Sequence, residues 1–255
     1  MNSKFHVIIP ARMSSTRLPG KMLADVCGLP LIIRVAKQAQ KSQAISITIA
    51  TDDEKVFDVC NEHKLNVIMT SKNHQSGTDR LAEAVKILDL ADDEIIVNVQ
   101  GDEPLIEPAL INQLANFIAV KNTPIATVAH SIHSHEDIFN PNIVKTILDN
   151  DDTALYFSRA PIPYYRDGYN KPDIQINDKL NTLRHIGIYA YKVSFLNIYT
   201  TLEPCLLEQV EALEQLRAMY YGHKIAVMQT DNAPAAGVDT AEDLEKVRKI
   251  IAAQV

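Results

Sequence analysis

The stretch VIIPARMSSTRLPGK, Val7 to Lys21, decides how the rest of the chain is read. It opens on apolar, β-branched residues, the composition of a buried strand. It then turns basic and turn-rich, with Arg12, Arg17, Lys21 and a Pro19–Gly20 pair. In open α/β sheets ligands bind beyond the carboxyl ends of the strands, which is where such a loop begins. Pro19 stiffens the turn and Gly20 allows close backbone approach. Positive charge on a tight loop suits a polyphosphate. The pattern matches neither GxxxxGK(S/T) nor GxGxxG, so neither a P-loop nor a dinucleotide fingerprint is supported, and a solvated basic loop is the competing reading.

Outward from that stretch, short apolar runs alternate with amphipathic segments. Strands are expected at ISITIAT (45–51), NVIMT (66–70), EIIVNVQ (94–100) and IAVMQT (225–230). Helices are expected at PLIIRVAKQAQKS (30–42), DDEKVFDVCNEH (52–63), SGTDRLAEAVKIL (76–88), EPALINQLANFIA (107–119) and TAEDLEKVRKIIAAQ (240–254). Ser76 with Asp79, and Thr240 with Asp243, read as capping boxes. This alternation predicts an α/β fold, a mainly parallel mixed sheet flanked by helices.

From Thr123 to Tyr191 the pattern changes to strands and turns, with regular helices missing. We read one domain over 1–255, in which 1–122 and 222–255 are mainly nucleotide-binding and about 123–221 form a β-rich insertion. The polar segment 166–181 reads as a loop.

Bulk properties narrow the function. The 255 residues are 46% hydrophobic and carry a net charge of -7. An acidic chain is poorly suited to nucleic acid, whose binding depends on Lys and Arg at phosphates. No apolar run reaches the roughly 20 residues of a membrane span. Three cysteines without a CxxC pair predict no disulfide framework, and with no signal peptide in the first residues a cytoplasmic setting is expected.

Further motifs carry chemistry. VNVQGDEP (97–104) runs a buried strand into Asp102 and Glu103, hard oxygen ligands suited to Mg²⁺ beside substrate phosphates, or simply an acidic turn. Asp239 precedes the cap Thr240; it either assists helix initiation or joins Asp102 in a two-carboxylate site. RHIGIYAY (184–191) places His185, Gly187, Tyr189 and Tyr191 on one strand face, suited to a sugar-like ligand or a subunit interface. LLEQVEALEQLRAMY (206–220) has an apolar helical stripe of Leu206, Val210, Leu213, Leu216 and Tyr220, with Glu208, Glu211 and Gln215 on a solvated face. His130, His133 and His135 near Asp137 have a loosely zinc-like spacing, which a polar loop also explains.

Taken together these segments resemble the 3-deoxy-manno-octulosonate (Kdo) cytidylyltransferase family. The resemblance rests on IIPARMSSTRLPGK, ATDDE, HQSGTDRLAEA, VNVQGDEP, FNPN, ALYFSRAPIP, RHIGIYAY, LEQLR and GVDTAEDLEKVR, in family order along nearly the whole chain. It implies a Rossmann-like nucleotide-diphospho-sugar transferase fold, and a reaction of CTP and Kdo to CMP-Kdo and diphosphate, with Mg²⁺, for lipopolysaccharide biosynthesis. It also implies a homodimer using the β-rich insertion. By the same resemblance Arg12, Arg17 and Lys21 bind the triphosphate, and Ser76 and Arg80 hold the nucleotide. Asp102 and Asp239 hold the metal, with Lys21, Asp102 and Asp239 as the catalytic set. Gln100, Arg159, His185, Tyr189, Glu214 and Gln215 hold the sugar. Two departures lie near the expected sugar pocket: Cys205-Leu206-Leu207-Glu208 replaces Ser-Pro-Leu-Glu, and Tyr164 replaces a Trp after Ile162-Pro163. The alternatives are a cytidylyltransferase for 8-amino-Kdo or another acidic sugar such as a sialic acid, or a non-catalytic nucleotide-binding subunit.

Overall fold

The computed structural model describes residues 3–13, 17–74, 76–169, 182–231 and 237–253. Of the expected 166–181 loop, only 166–169 are described; they form a turn that buries Tyr169.

Burial drives the first half as expected. Strand β1 (His6–Ala11) is buried throughout. A short hairpin follows, β2 (Asp25–Val26) and β3 (Leu29–Pro30), and then α1 (Leu31–Ala39). Pro30 caps α1 rather than opening it. Next come β4 (Ser46–Thr51), α2 (Glu54–Glu62), β5 (Asn66–Met69), α3 (Gly77–Ile87), β6 (Ile95–Asn98) and α4 (Pro108–Lys121). Asp53 caps α2, and both expected capping boxes form, at α3 and at the C-terminal helix α9 (Ala241–Ala252). Each such cap contributes about 1 kcal/mol.

The middle contains β7 (Ile125–Ser131), α5 (His135–Phe139), β8 (Lys145–Leu148), β9 (Ala154–Ser158) and β10 (Leu183–Lys192). Here the expectation of no helix is corrected: Ser134 accepts a hydrogen bond from the Asp137 N–H and starts the short α5. Helices α6 (Val193–Tyr199), α7 (Leu206–Glu211) and α8 (Gln215–Tyr220) lead to β11 (Ile225–Gln229). The single helix expected over 206–220 is thus two. Ala212, at φ 50 and ψ 52, breaks it in the left-handed region. No Gly or Pro marks the break; it is set by tertiary contacts, since Glu211 accepts from the Ser158 hydroxyl (2.7 Å) and the Arg159 N–H (2.9 Å).

The main sheet has the order β11-β7-β10-β6-β1-β4-β5, with β8 and β9 extending from β10. β1 pairs in parallel with β4 and β6, and β11 with β7, while β10 is antiparallel to both β6 and β7. The sheet is therefore mainly parallel and mixed. One face packs on α1, α2 and α4, the other on α3, α6 and α8. The β10–β7 register shifts between Ile186 and Tyr189, which throws Gly187 outward at the sheet centre.

Candidate active site

A cavity of about 670 Å³ opens where the basic loop after β1, the loop after β6 and the first turn of α3 converge, against β10 and the α7–α8 corner. Two close backbone approaches build it. A Cβ at Gly101 would sit 2.8 Å from the Pro10 carbonyl oxygen, so a side chain there would push the two strand ends apart. The Val238 N–H donates to the Asp102 carbonyl at 2.8 Å, which brings the 237–239 segment alongside and sets Asp239 near Asp102.

Lys21 lies between the two acids. Its Nζ donates to Asp102 Oδ2 at 2.6 Å, to Asp239 Oδ1 at 3.1 Å and to the Val238 carbonyl at 3.2 Å. Burial works against the ammonium charge, but Asp102 and then Asp239 outweigh it and hold the Lys21 pKa above its ordinary value. Arg17 adds a 2.9 Å ion pair to the second oxygen of Asp239. Glu103, beside Asp102, is pushed up to about 8 by desolvation and by its neighbour's charge.

The opposite wall is aromatic and polar. The Thr127 hydroxyl lies 2.7 Å from the Ile188 carbonyl oxygen, 3.2 Å from that of Ile186 and 2.9 Å from His185 Nε2. Thr127 thus fixes the orientation of the His185 ring through Nε2. Desolvation pushes its pKa down to about 3, which keeps the ring neutral. Tyr189 stacks on Tyr191 at 5.6 Å, and burial raises the pKa of both phenols, so both remain donors. Glu214 lines the cavity and accepts from the Thr78 hydroxyl at 3.1 Å. Desolvation raises its pKa against the opposing pull of Thr78 and of the Arg12 charge.

Arg12, Arg17, Lys21, Gln100, Asp102, His185, Tyr189, Glu214, Gln215 and Asp239 all line this cavity. Ser76, Arg80 and Arg159 do not. Ser76 is spent on the α3 capping box. Arg80 is fully buried, with its guanidinium 2.6 Å from Asp52 and bonded to Thr70. Arg159 donates to the carbonyls of Glu211 (2.6 Å) and Pro141 (2.8 Å), bracing the α7–α8 corner from outside. Tyr191, on the strand face read as suited to a sugar, lines the cavity too; Thr78, Asn98 and Tyr199 also line it and were not singled out as ligand-binding residues from sequence, although the SGTDR and VNVQGDEP motifs contain the first two. The histidine cluster gathers no metal site: among the described residues no group of three His, Cys, Asp or Glu side chains could hold an ion. His135 instead packs on Phe139 at 4.7 Å.

Comparison with known proteins gives the family. The family model described as cytidylyltransferase matches residues 6–225. The chain is 52% identical over 250 residues to the 3-deoxy-manno-octulosonate cytidylyltransferase of Vibrio vulnificus, covering 98% of this chain and 99% of that protein. It is 53% identical over 245 residues to the protein of the same name from Herminiimonas arsenicoxydans, covering 96% and 98%. A solved structure of CMP:2-keto-3-deoxy-manno-octonic acid synthetase complexed with CTP has a TM-score of 0.89 and 39% identity, over 99% of this chain and 100% of that one. A Leptospira borgpetersenii cytidylyltransferase, 17% identical with a TM-score of 0.63, shares the fold. At these identities, over nearly its whole length, the chain belongs to the 3-deoxy-manno-octulosonate cytidylyltransferase family.

Proposed function

We propose that this chain activates Kdo: CTP and 3-deoxy-D-manno-octulosonate give CMP-Kdo and diphosphate, for lipopolysaccharide biosynthesis. The anomeric hydroxyl attacks the α-phosphorus in line, and diphosphate leaves from the opposite side. The observation that carries this reading is a single cavity with cations and paired carboxylates at one end and a neutral, polar aromatic wall at the other. The first end suits a triphosphate and the second a polyhydroxy acid.

The reaction needs no protein nucleophile. Its catalysis is positioning and charge neutralisation. Arg12, Arg17 and Lys21 neutralise the triphosphate. α3 presents its first turn, Gly77 and Thr78, to the cavity, and its dipole favours an anion there. Ser76 and Arg80 hold the nucleotide at one remove, by capping α3 and fixing it to Asp52. Toward the sugar, the neutral His185 ring and the Tyr189 phenol offer hydrogen bonds to hydroxyls, and Glu214, Gln215 and Gln100 add further polar groups. Arg159 contributes by bracing the corner that carries Glu214.

Mg²⁺ fits Asp102 and Asp239. Both carboxylates already converge on one cation, the Lys21 ammonium, and Mg²⁺ commonly takes one or two protein carboxylates plus substrate phosphates. Bound there, it would draw charge from the phosphate oxygens and acidify a hydroxyl in contact with it.

We further place the chain in the cytoplasm as a homodimer, with 1–122 and 222–255 serving the nucleotide and 123–221 the sugar and the dimer. The three free cysteines fit a reducing compartment, and no helix among the described residues is long and apolar enough to cross a membrane. The dimer reading rests on α7, whose Leu206 and Val210 are 72% and 75% exposed. Diphosphate release that requires CTP, Kdo and Mg²⁺ together is the expected result; release from CTP alone would contradict the reading.

A further inference from the structure

Three buried polar atoms without a protein partner among the described residues belong to side chains lining this one cavity: Asn98 Oδ1, the Tyr199 hydroxyl and Gln215 Nε2. Asn98 is the most telling. It is only 3% exposed and ends β6 in the middle of the sheet, its Cα opposite Ile8 of β1 and Tyr189 of β10. It shares the face of Ile96, which packs toward α3, so it belongs to the floor beneath the first turn of that helix. A buried amide oxygen without a partner destabilises the free protein. Such a group is retained where a ligand supplies the missing bond.

The chemistry narrows the ligand. A phosphate at this pH offers acceptors only, which an unpaired amide oxygen cannot use. A hydroxyl both donates and accepts, and a carboxamide can answer it from either end. Asn98 also pairs in register with Tyr189, on the aromatic wall rather than at the basic loop.

We propose that Asn98 is a specificity-determining residue whose carboxamide exchanges hydrogen bonds with a hydroxyl of the bound acidic sugar. This rests on the sugar-activating reading above.

The test replaces Asn98 by Leu, close in volume, and separately by Ala. Both variants and the wild type are assayed for diphosphate release with CTP and Kdo varied in turn, and each free protein is melted without ligand. The KM for Kdo should rise about 10-fold, the order expected for one lost bond to a buried group, with the KM for CTP within about 2-fold. The free Asn98→Leu protein should melt at the wild-type temperature or above it, because a buried oxygen without a partner has gone. A structural asparagine predicts the reverse, and a lower melting temperature with both KM values rising together, or failure of both variants to fold, overturns the proposal. So does an unchanged KM for Kdo. If the wild type itself shows no Kdo-dependent release, the activity reading fails and takes this proposal with it, a result distinct from active wild type with indifferent variants.

Discussion

Lys21 and Asp102 are 81 positions apart in sequence and 2.6 Å apart in space, and the same ammonium reaches Asp239 at 3.1 Å. The pair joins the loop after β1 to the loop after β6, the two segments that line the basic end of the cavity. Removing Lys21 leaves two carboxylates facing each other and, on the proposed function, takes a cation from the triphosphate. Lys21→Met should lower kcat/KM for CTP about 100-fold, the scale of one lost electrostatic contact, with the KM for Kdo little changed. Asp102→Ala should remove most Mg²⁺-dependent turnover. Steady-state kinetics with each substrate and the metal varied checks both; near-normal activity in either variant would remove that residue from the site.

The neutral His185 has a measurable cost at low pH. Its folded pKa, near 3, lies below the unfolded value of about 6.5. Between those values the unfolded chain binds a proton that the folded chain does not, so stability from this residue rises with pH and is lost on acidification. Melting curves from pH 7 to pH 4 should therefore fall more steeply for the wild type than for His185→Asn. Parallel curves would mean that His185 is not desolvated in the folded protein.

The corner at Ala212 also carries an ion pair whose two side chains are only about a tenth exposed. Glu208 on α7 receives two bonds from the Arg217 guanidinium on α8, at 2.7 and 2.6 Å, and Arg217 lies 4.8 Å over the Tyr199 ring. Cutting one partner of a buried pair leaves an uncompensated charge. Glu208→Ala should cost about 3 kcal/mol in chemical denaturation. A loss within experimental error would show that the Glu208–Arg217 pair does not hold the corner.

Leu206 and Val210 face outward on a helix that buries none of its residues. Glu211 anchors that helix to the end of β9, an edge strand on which Leu155 is 57% exposed. A second copy covering this face would explain three large exposed apolar side chains on neighbouring elements. Leu206→Glu with Val210→Glu should convert a dimer to a monomer in sedimentation equilibrium. A dimer that survives the double change lies on another face, and a monomeric wild type removes the dimer altogether.

Local chemistry made much of this legible before any coordinates. The capping boxes of Ser76 and Thr240 are short-range patterns, and both form. The buried strand and basic loop of 7–21 likewise follow from composition and turn chemistry. What stayed hidden depends on distant partners. Ala212 adopts a left-handed conformation with no Gly or Pro signal, because Ser158 and Arg159 hold the residue before it. The stripe through Leu206 and Val210 therefore reads as one buried helix face when only Leu213 and Leu216 are covered. Asn98 sits inside a recognisable motif, yet nothing local separates a cavity-lining asparagine from a strand-end one. The resemblance makes Arg80 a residue that holds the nucleotide, whereas its burial against Asp52 and Thr70 makes it a brace for α3.

The most direct measurement is diphosphate release from the purified protein with CTP and Mg²⁺, offered Kdo, 8-amino-Kdo and a sialic acid in parallel. Strong release with Kdo, far above the other two, is the result this account predicts. Preference for the 8-amino sugar would keep the chemistry and change the substrate; release with none of the three would contradict the assignment and leave a nucleotide-binding fold without this activity.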